Sequence, residues 1–170
     1  MSVTGIDAHI VSSGNHCRDD CAMIANKSGS RKVKAGEFFQ SLYTTSIGPA
    51  DVLTAIELPL PASGSRHAFV ELTRRRGDYA IAGVAAMAIN TRGALSNVQL
   101  AYLGADQTPI LAKTAMAAVE GKHLSPTVID AAAQALASDL DPGGDCYATP
   151  ATKLHLARII TGRALTALNA

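Results

Sequence analysis

The stretch from Tyr79 to Ile89, YAIAGVAAMAI, constrains the chain more than any other. It carries no charge and no strongly polar side chain, yet it falls well short of the ~20 apolar residues that cross a bilayer. Read at period two, Ala80 to Asn90 sets Ile81, Ala85, Met87 and Ile89 on one face and Ala82, Val84, Ala86 and Ala88 on the other. A strand with one face of such small side chains lets helices lie close against it. His67 to Thr73 (with Phe69 and Val70) and Asn97 to Leu103 (with Val98, Leu100 and Tyr102) read as flanking strands, and Thr91-Arg92-Gly93 reads as a hairpin turn. The simplest solution is an α+β fold: a three-stranded antiparallel sheet packed against a layer of three helices.

The helices announce themselves by three hydroxyl-proline pairs. Thr108-Pro109, Ser125-Pro126 and Thr149-Pro150 each offer a capping hydroxyl and a proline at the first helical position, where its missing N–H costs nothing. Gly121 is expected to close the first helix and Asp141-Pro142-Gly143-Gly144 the second. The third runs toward Leu168 with Leu154, Ile159, Leu165 and Leu168 as inward candidates. Upstream, Ile6 to Val11 reads as a strand, Ser12 to Arg31 as a long exposed loop without a period, and Val52 to Leu58 as a strand stopped by Pro59 and Pro61, with a linker from Pro59 to Ser65.

Composition narrows the function classes. Hydrophobic residues at 48% against 17% charged exclude a disordered chain, and a net charge of +1 provides no overall field for nucleic acid or an anionic membrane. Met1 to Ser13 lacks a basic start followed by a long apolar stretch, so a cytoplasmic setting is expected, with Cys17, Cys21 and Cys146 as reduced thiols. His16, Cys17 and Cys21 form a short cluster with Asp19 and Asp20, but no second ligand pair follows, so no metal site is assigned. No G-x-S-x-G nucleophile elbow occurs, and Asp139 with Asp141 reads as a solvated loop rather than a catalytic pair.

The most suggestive constellation is Arg74-Arg75-Arg76-Gly77-Asp78-Tyr79, a basic turn between two strands. Gly77 can adopt positive φ, Asp78 can accept hydrogen bonds from turn amides or a ligand N–H, and Tyr79 offers a flat face to a planar heterocycle. The competing reading is a solvated turn followed by a tyrosine packed in the core.

Phe69, the Arg74-Arg75 pair, Gly77-Asp78-Tyr79-Ala80-Ile81, the Ala-rich strand, Leu100 to Gly104 and the terminal Arg163-Ala164-Leu165 together resemble the C-terminal domain of the FAD-carrying medium subunit of molybdenum hydroxylases, the carbon monoxide dehydrogenase and xanthine dehydrogenase family. Val33 to Phe39 with Leu53 to Pro59 resembles the tail of that family's FAD-binding domain. The resemblance implies that residues 1–61 are an incomplete tail of the FAD-binding domain, with a long loop and linker, and that 62–170 are the C-terminal α+β domain. It implies an oxidoreductase subunit that relays electrons from iron-sulfur centres through FAD to an acceptor. Its partners would be a molybdenum-cofactor large subunit, a 2Fe-2S small subunit and the rest of the FAD-binding domain. By position, Tyr79 would lie against the isoalloxazine, Asp78 in the adjoining loop, Leu53 near the ring from the linker side, and Arg74 or Arg75 would bring positive charge; no catalytic acid or base is needed. Departures are Glu71 where relatives have Lys, Thr152-Lys153 where they have Tyr-Arg, and the absence of a glycine-rich pyrophosphate loop. That absence keeps open an alternative from a different class, a docking module that has lost FAD; a third reading is an unrelated domain with its own small-molecule pocket.

Overall fold

A computed structural model describes residues 21–58, 60–75 and 77–169. Strands β1 (Cys21–Asn26) and β2 (Gly29–Lys34) form an antiparallel hairpin. Its turn is closed by Asn26 Oδ1, which accepts from the Ser28 amide at 2.8 Å. This corrects the loop reading of Ser12 to Arg31 over its described part. Ala22 and Ile24, two apart, share a buried face with Val33 from the facing strand, and the polar residues that read as loop occupy the solvent face and the turn. The remainder of that stretch, with the Ile6 to Val11 strand and with His16 and Cys17, lies outside the described residues.

A single helical turn, α1 (Ala35–Phe38), leads into the short pair β3 (Phe39–Ser41) and β4 (Thr44–Thr45). Strand β5 (Val52–Glu57) then pairs with the other side of β1, giving the order β2-β1-β5. Ala22, Ile24, Val33 and Phe38 make the small core of this sheet, with Phe39 and Ile47 against it. Ion pairs Arg31–Asp51 and Lys32–Glu57, each at 2.6 Å, lie on its surface.

The second sheet is built on β6 (Ser65–Thr73), β7 (Ala80–Thr91) and β8 (Ala94–Leu103), all antiparallel. The turn between β7 and β8 places Arg92 at φ 53° and Gly93 at φ 87°, the two positive values that a two-residue hairpin matched to strand twist requires. After β8 come β9 (Ile110–Leu111), α2 (Lys113–Val119), β10 (Lys122–His123), α3 (Pro126–Asp139) and α4 (Pro150–Leu168). The antiparallel sheet and the three helices agree with the expected class; the addition is that β9 and β10 extend the sheet beyond β8.

Ser125 and Thr149 cap α3 and α4 by accepting from the Val128 and Thr152 amides. Thr108-Pro109 does not start a helix. The fixed φ of proline suits an extended segment equally well, and Ile110-Leu111 runs into strand pairing with β8, so α2 begins only after Ala112 and without a cap of its own. Asp139 from the end of α3 serves instead, accepting from the Thr114 amide at 3.0 Å and the Ala115 amide at 2.8 Å.

Ala82, Val84, Ala86 and Ala88 of β7 are buried in the main core with the apolar stripe of α4, Ala157, Ile160, Ala164, Leu165 and Leu168. That stripe corrects one inward candidate: Ile159 is 38% exposed, and its neighbour Ile160 takes the core position because the helical period of the other buried residues passes through 160. Tyr102 of β8 joins sheet to helix within this core, its hydroxyl 2.6 Å from Thr161 Oγ1.

Candidate functional site

Between β6 and β7 the chain reverses through the basic turn. The Asp78 amide donates to the Arg75 carbonyl at 3.0 Å, Gly77 sits at φ 82°, and Asp78 Oδ1 accepts from the Tyr79 amide at 2.9 Å. Glycine is required here because a side chain at that φ is strained. The local bonds also turn Tyr79 out: its side chain belongs to a residue that is 86% exposed. The alternative of a core tyrosine is thereby overturned. Arg75 Nε lies 3.9 Å from Asp78 Oδ2, a loose pair between groups that both remain accessible to a ligand. Arg76 lies outside the described residues.

Arg74 is engaged differently. Its guanidinium carbon is 4.4 Å from the ring centroid of Tyr147, inside the range of a cation–π contact. Tyr147 stands in the loop before α4, which is organised by Asp145: that carboxylate accepts from the Tyr147 amide at 2.8 Å and the Ala148 amide at 2.9 Å and pairs with Lys153 at 2.7 Å. These bonds, Lys153 first, hold the Asp145 carboxyl at about 2, below its usual 3.8. Nothing in the sequence pairs Arg74 with Tyr147; the one legible signal is the Asp145-x-Tyr147-Ala148 pattern, in which an aspartate accepts from amides two and three residues on.

Beside Tyr79 the backbone is tightly packed. Gly104, at φ 72° just past β8, would bring a Cβ within 2.8 Å of the Ala80 carbonyl oxygen. Ala80 and Leu111 pack on Ala85, Ala101 and Leu103, making a small apolar floor on the sheet face away from the helices. A cleft of about 390 Å³ opens between α1–β3 and the β9–α2 segment, lined by residues that include Gly36, Phe39, Pro109, Ile110, Lys113 and Asp139.

Of the four residues singled out from sequence, the structure gathers Arg75, Asp78 and Tyr79 into one turn. Leu53 stands on the edge strand β5 of the other sheet, 38% exposed and in register with Ile24. None of the four lines the 390 Å³ cleft, whose lining the sequence reading did not single out.

The donor set fits part of an FAD. An open phenol ring, an adjacent carboxylate and an accessible guanidinium suit one face and edge of a flat, hydrogen-bonding ring system. For the pyrophosphate, no glycine-rich loop opening a helix occurs among the described residues. Also among the described residues, no three His, Cys, Asp or Glu side chains come together as a metal site, and no helix is long and apolar enough to cross a membrane.

Residues 67–168 match the family described as the CO dehydrogenase flavoprotein C-terminal domain. The chain is 31% identical over 143 residues to the glyceraldehyde dehydrogenase medium chain of Sulfolobus acidocaldarius, covering 84% of this chain and 50% of that one. It is 28% identical over 137 residues to the carbon monoxide dehydrogenase medium chain of Afipia carboxidovorans, covering 81% and 48% respectively. Among solved structures, a carbon monoxide dehydrogenase from Hydrogenophaga pseudoflava that lacks the Mo-pyranopterin moiety superimposes with a TM-score of 0.84 at 28% identity, over 95% of this chain and 54% of that chain. The chain thus spans about half the length of the curated relatives it matches.

Proposed function

Because the chain belongs to the CO dehydrogenase flavoprotein C-terminal domain family, within the FAD-carrying medium subunits of molybdenum hydroxylases, we propose that it works as the C-terminal half of such a subunit. In this reading residues 62–170 are the C-terminal domain and residues 1–61 the tail of the FAD-binding domain, completed by a glycine-rich half. The subunit passes electrons from iron-sulfur centres to an external acceptor, beside a molybdenum-cofactor large subunit and a 2Fe-2S small subunit. A matching family of flavoproteins does not favour the docking-only alternative.

FAD, when bound, supplies reversible one- and two-electron redox chemistry. The chain's own residues supply position and field. Tyr79 would offer its ring face to the flavin, Asp78 would accept a hydrogen bond from it, Arg75 would bring positive charge to it, and Leu53 would stand on the β5 side. The observation that carries the reading is the exposure of Tyr79 on a turn whose own hydrogen bonds hold it outward, within the segment matched to the family. Val52 and Leu53 are exposed on β5, which is the edge of this sheet among the described residues, and that exposure supports a flavin-binding domain larger than this sheet.

The test is flavin absorbance of the chain purified alone and after co-expression with a glycine-rich half and partner subunits. The chain alone is expected to be colourless or to hold FAD weakly, and the assembly to be yellow. In the assembly, Tyr79→Ala shifts the flavin spectrum while the urea midpoint of the chain stays put. A spectrum unchanged by Tyr79→Ala refutes the ring-facing role.

A further inference from the structure

We propose that Tyr147 is a positioning residue for the flavin-facing turn, acting through Arg74. The inference rests on the reading of Tyr79 given above and names a residue that reading leaves out. The hydrogen bonds of the turn are local, from Asp78 to Arg75 and from Tyr79 to Asp78, and around Gly77 an added Cβ would meet nothing within 4 Å. These bonds tie the turn to itself and not to another element of the fold. Among the described residues, Arg74 is its one side chain with a hydrogen bond, ion pair or ring contact outside the turn, and that contact is the Tyr147 ring at 4.4 Å.

The other end of the tether is firm. Tyr147 is held by Asp145, Asp145 by Lys153 in the first turn of α4, and α4 buries Ala157, Ile160, Ala164, Leu165 and Leu168 in the main core. The tip of the β6–β7 hairpin is therefore fastened to the most deeply seated helix. The contact also divides the work of two adjacent arginines. With Arg74 laid on the ring, Arg75, whose side chain is 79% exposed, is the described guanidinium left to face a cofactor.

Hydrogen exchange at the Asp78 and Tyr79 amides of the full chain reads the tether without any flavin. Tyr147→Ala is expected to speed exchange about twofold to fivefold, the population change carried by an exposed cation–π contact. Tyr147→Phe, which keeps the ring face, restores the original rate, and Tyr147→Ala adds nothing in an Arg74→Gln background. In the assembled flavoprotein, Tyr147→Ala shifts flavin absorbance in the same direction as Tyr79→Ala and to a smaller extent, while Tyr147→Phe leaves it in place. Exchange unchanged by Tyr147→Ala, or not restored by Tyr147→Phe, overturns the tether. Faster exchange with a spectrum that answers to Tyr79→Ala but not to Tyr147→Ala overturns the positioning role and leaves the role of Tyr79 standing. A spectrum deaf to both substitutions removes the flavin-facing role itself, and the inference falls with it.

Discussion

Tyr102 and Thr161 meet in the core, both fully buried, and the geometry fixes which hydroxyl gives its proton to the other. Thr161 Oγ1 donates to the Ala157 carbonyl at 2.7 Å, one turn back on α4. A threonine has one hydroxyl proton, so at the 2.6 Å contact Tyr102 donates and Thr161 accepts. The two hydroxyls are therefore unequal. Tyr102→Phe removes a donor and leaves Thr161 with its own bond made, at a cost of about 1 kcal/mol. Thr161→Val keeps the shape but strands the phenol proton in a site where burial pushes its ionisation well above the usual tyrosine value, so it cannot escape as phenolate. Leaving a buried donor unpaired costs about 1–3 kcal/mol. The double variant replaces both partners by apolar groups of similar shape and should lie closer to the wild type than Thr161→Val alone. Urea unfolding of the four proteins, compared by midpoint at constant slope, measures the cycle. A Tyr102→Phe cost equal to or above that of Thr161→Val, or strictly additive losses, refutes the assigned donor direction.

Other outcomes follow from single contacts. Gly104→Ala forces a side chain into φ 72° and against the Ala80 carbonyl at 2.8 Å, so the urea midpoint should fall by the equivalent of about 2 kcal/mol or more, and an unchanged midpoint would show that the β7–β8 end yields freely. Asp145 has a folded value of about 2 against the usual 3.8, a depression, so the support its carboxylate gives the Tyr147 loop is complete above the higher value and is lost as pH falls toward the lower. Carboxyl NMR of the chain should show that low midpoint, and titration at the ordinary aspartate value would contradict the Lys153 and backbone contacts. Thr149→Ala removes the cap of α4 and should cost about 1 kcal/mol by the same unfolding assay, with Thr149→Ser nearly neutral.

What could be read in advance was the order set by local rules. The alternation across Ala80 to Asn90 predicts a strand covered on its alanine face, and that face carries the helices because Ala82, Val84, Ala86 and Ala88 have no bulk to hold them away. Ser125-Pro126 and Thr149-Pro150 mark helix starts because hydroxyl and amide lie three residues apart along the chain. Thr108-Pro109 carries the same signal and fails. The apolar pair after it reaches a strand edge supplied by β8, and such an edge is a property of the assembled sheet. The hairpin of β1 and β2 was hidden for the opposite reason: its core is small, so only Ala22, Ile24 and Val33 mark the buried face while most of its residues look like loop.

The same division governs the candidate site. A tight turn is specified by its own residues, which is why Gly77, Asp78 and Tyr79 could be singled out from a single segment. The contact that anchors the turn joins residues 74 and 147, and no periodicity connects positions that far apart. The cleft lining is composite in the same way, with Gly36 and Phe39 brought against Ile110, Lys113 and Asp139 only by the packing of separate elements. In this reading an outward-facing tyrosine beside a hairpin turn is half legible: its outward direction is written locally, and its steadiness is borrowed from α4. If that account holds, changes at the anchor and changes at the tip should differ in kind. Tyr147→Ala should alter amide exchange at residues 78 and 79 before it alters anything at a cofactor, whereas Tyr79→Ala should leave the turn amides as they are, because their acceptors are the Arg75 carbonyl and the Asp78 carboxylate and not the phenol. Equal effects of the two substitutions on exchange would mean that the ring of Tyr79 itself braces the turn, an outcome its 86% exposure argues against.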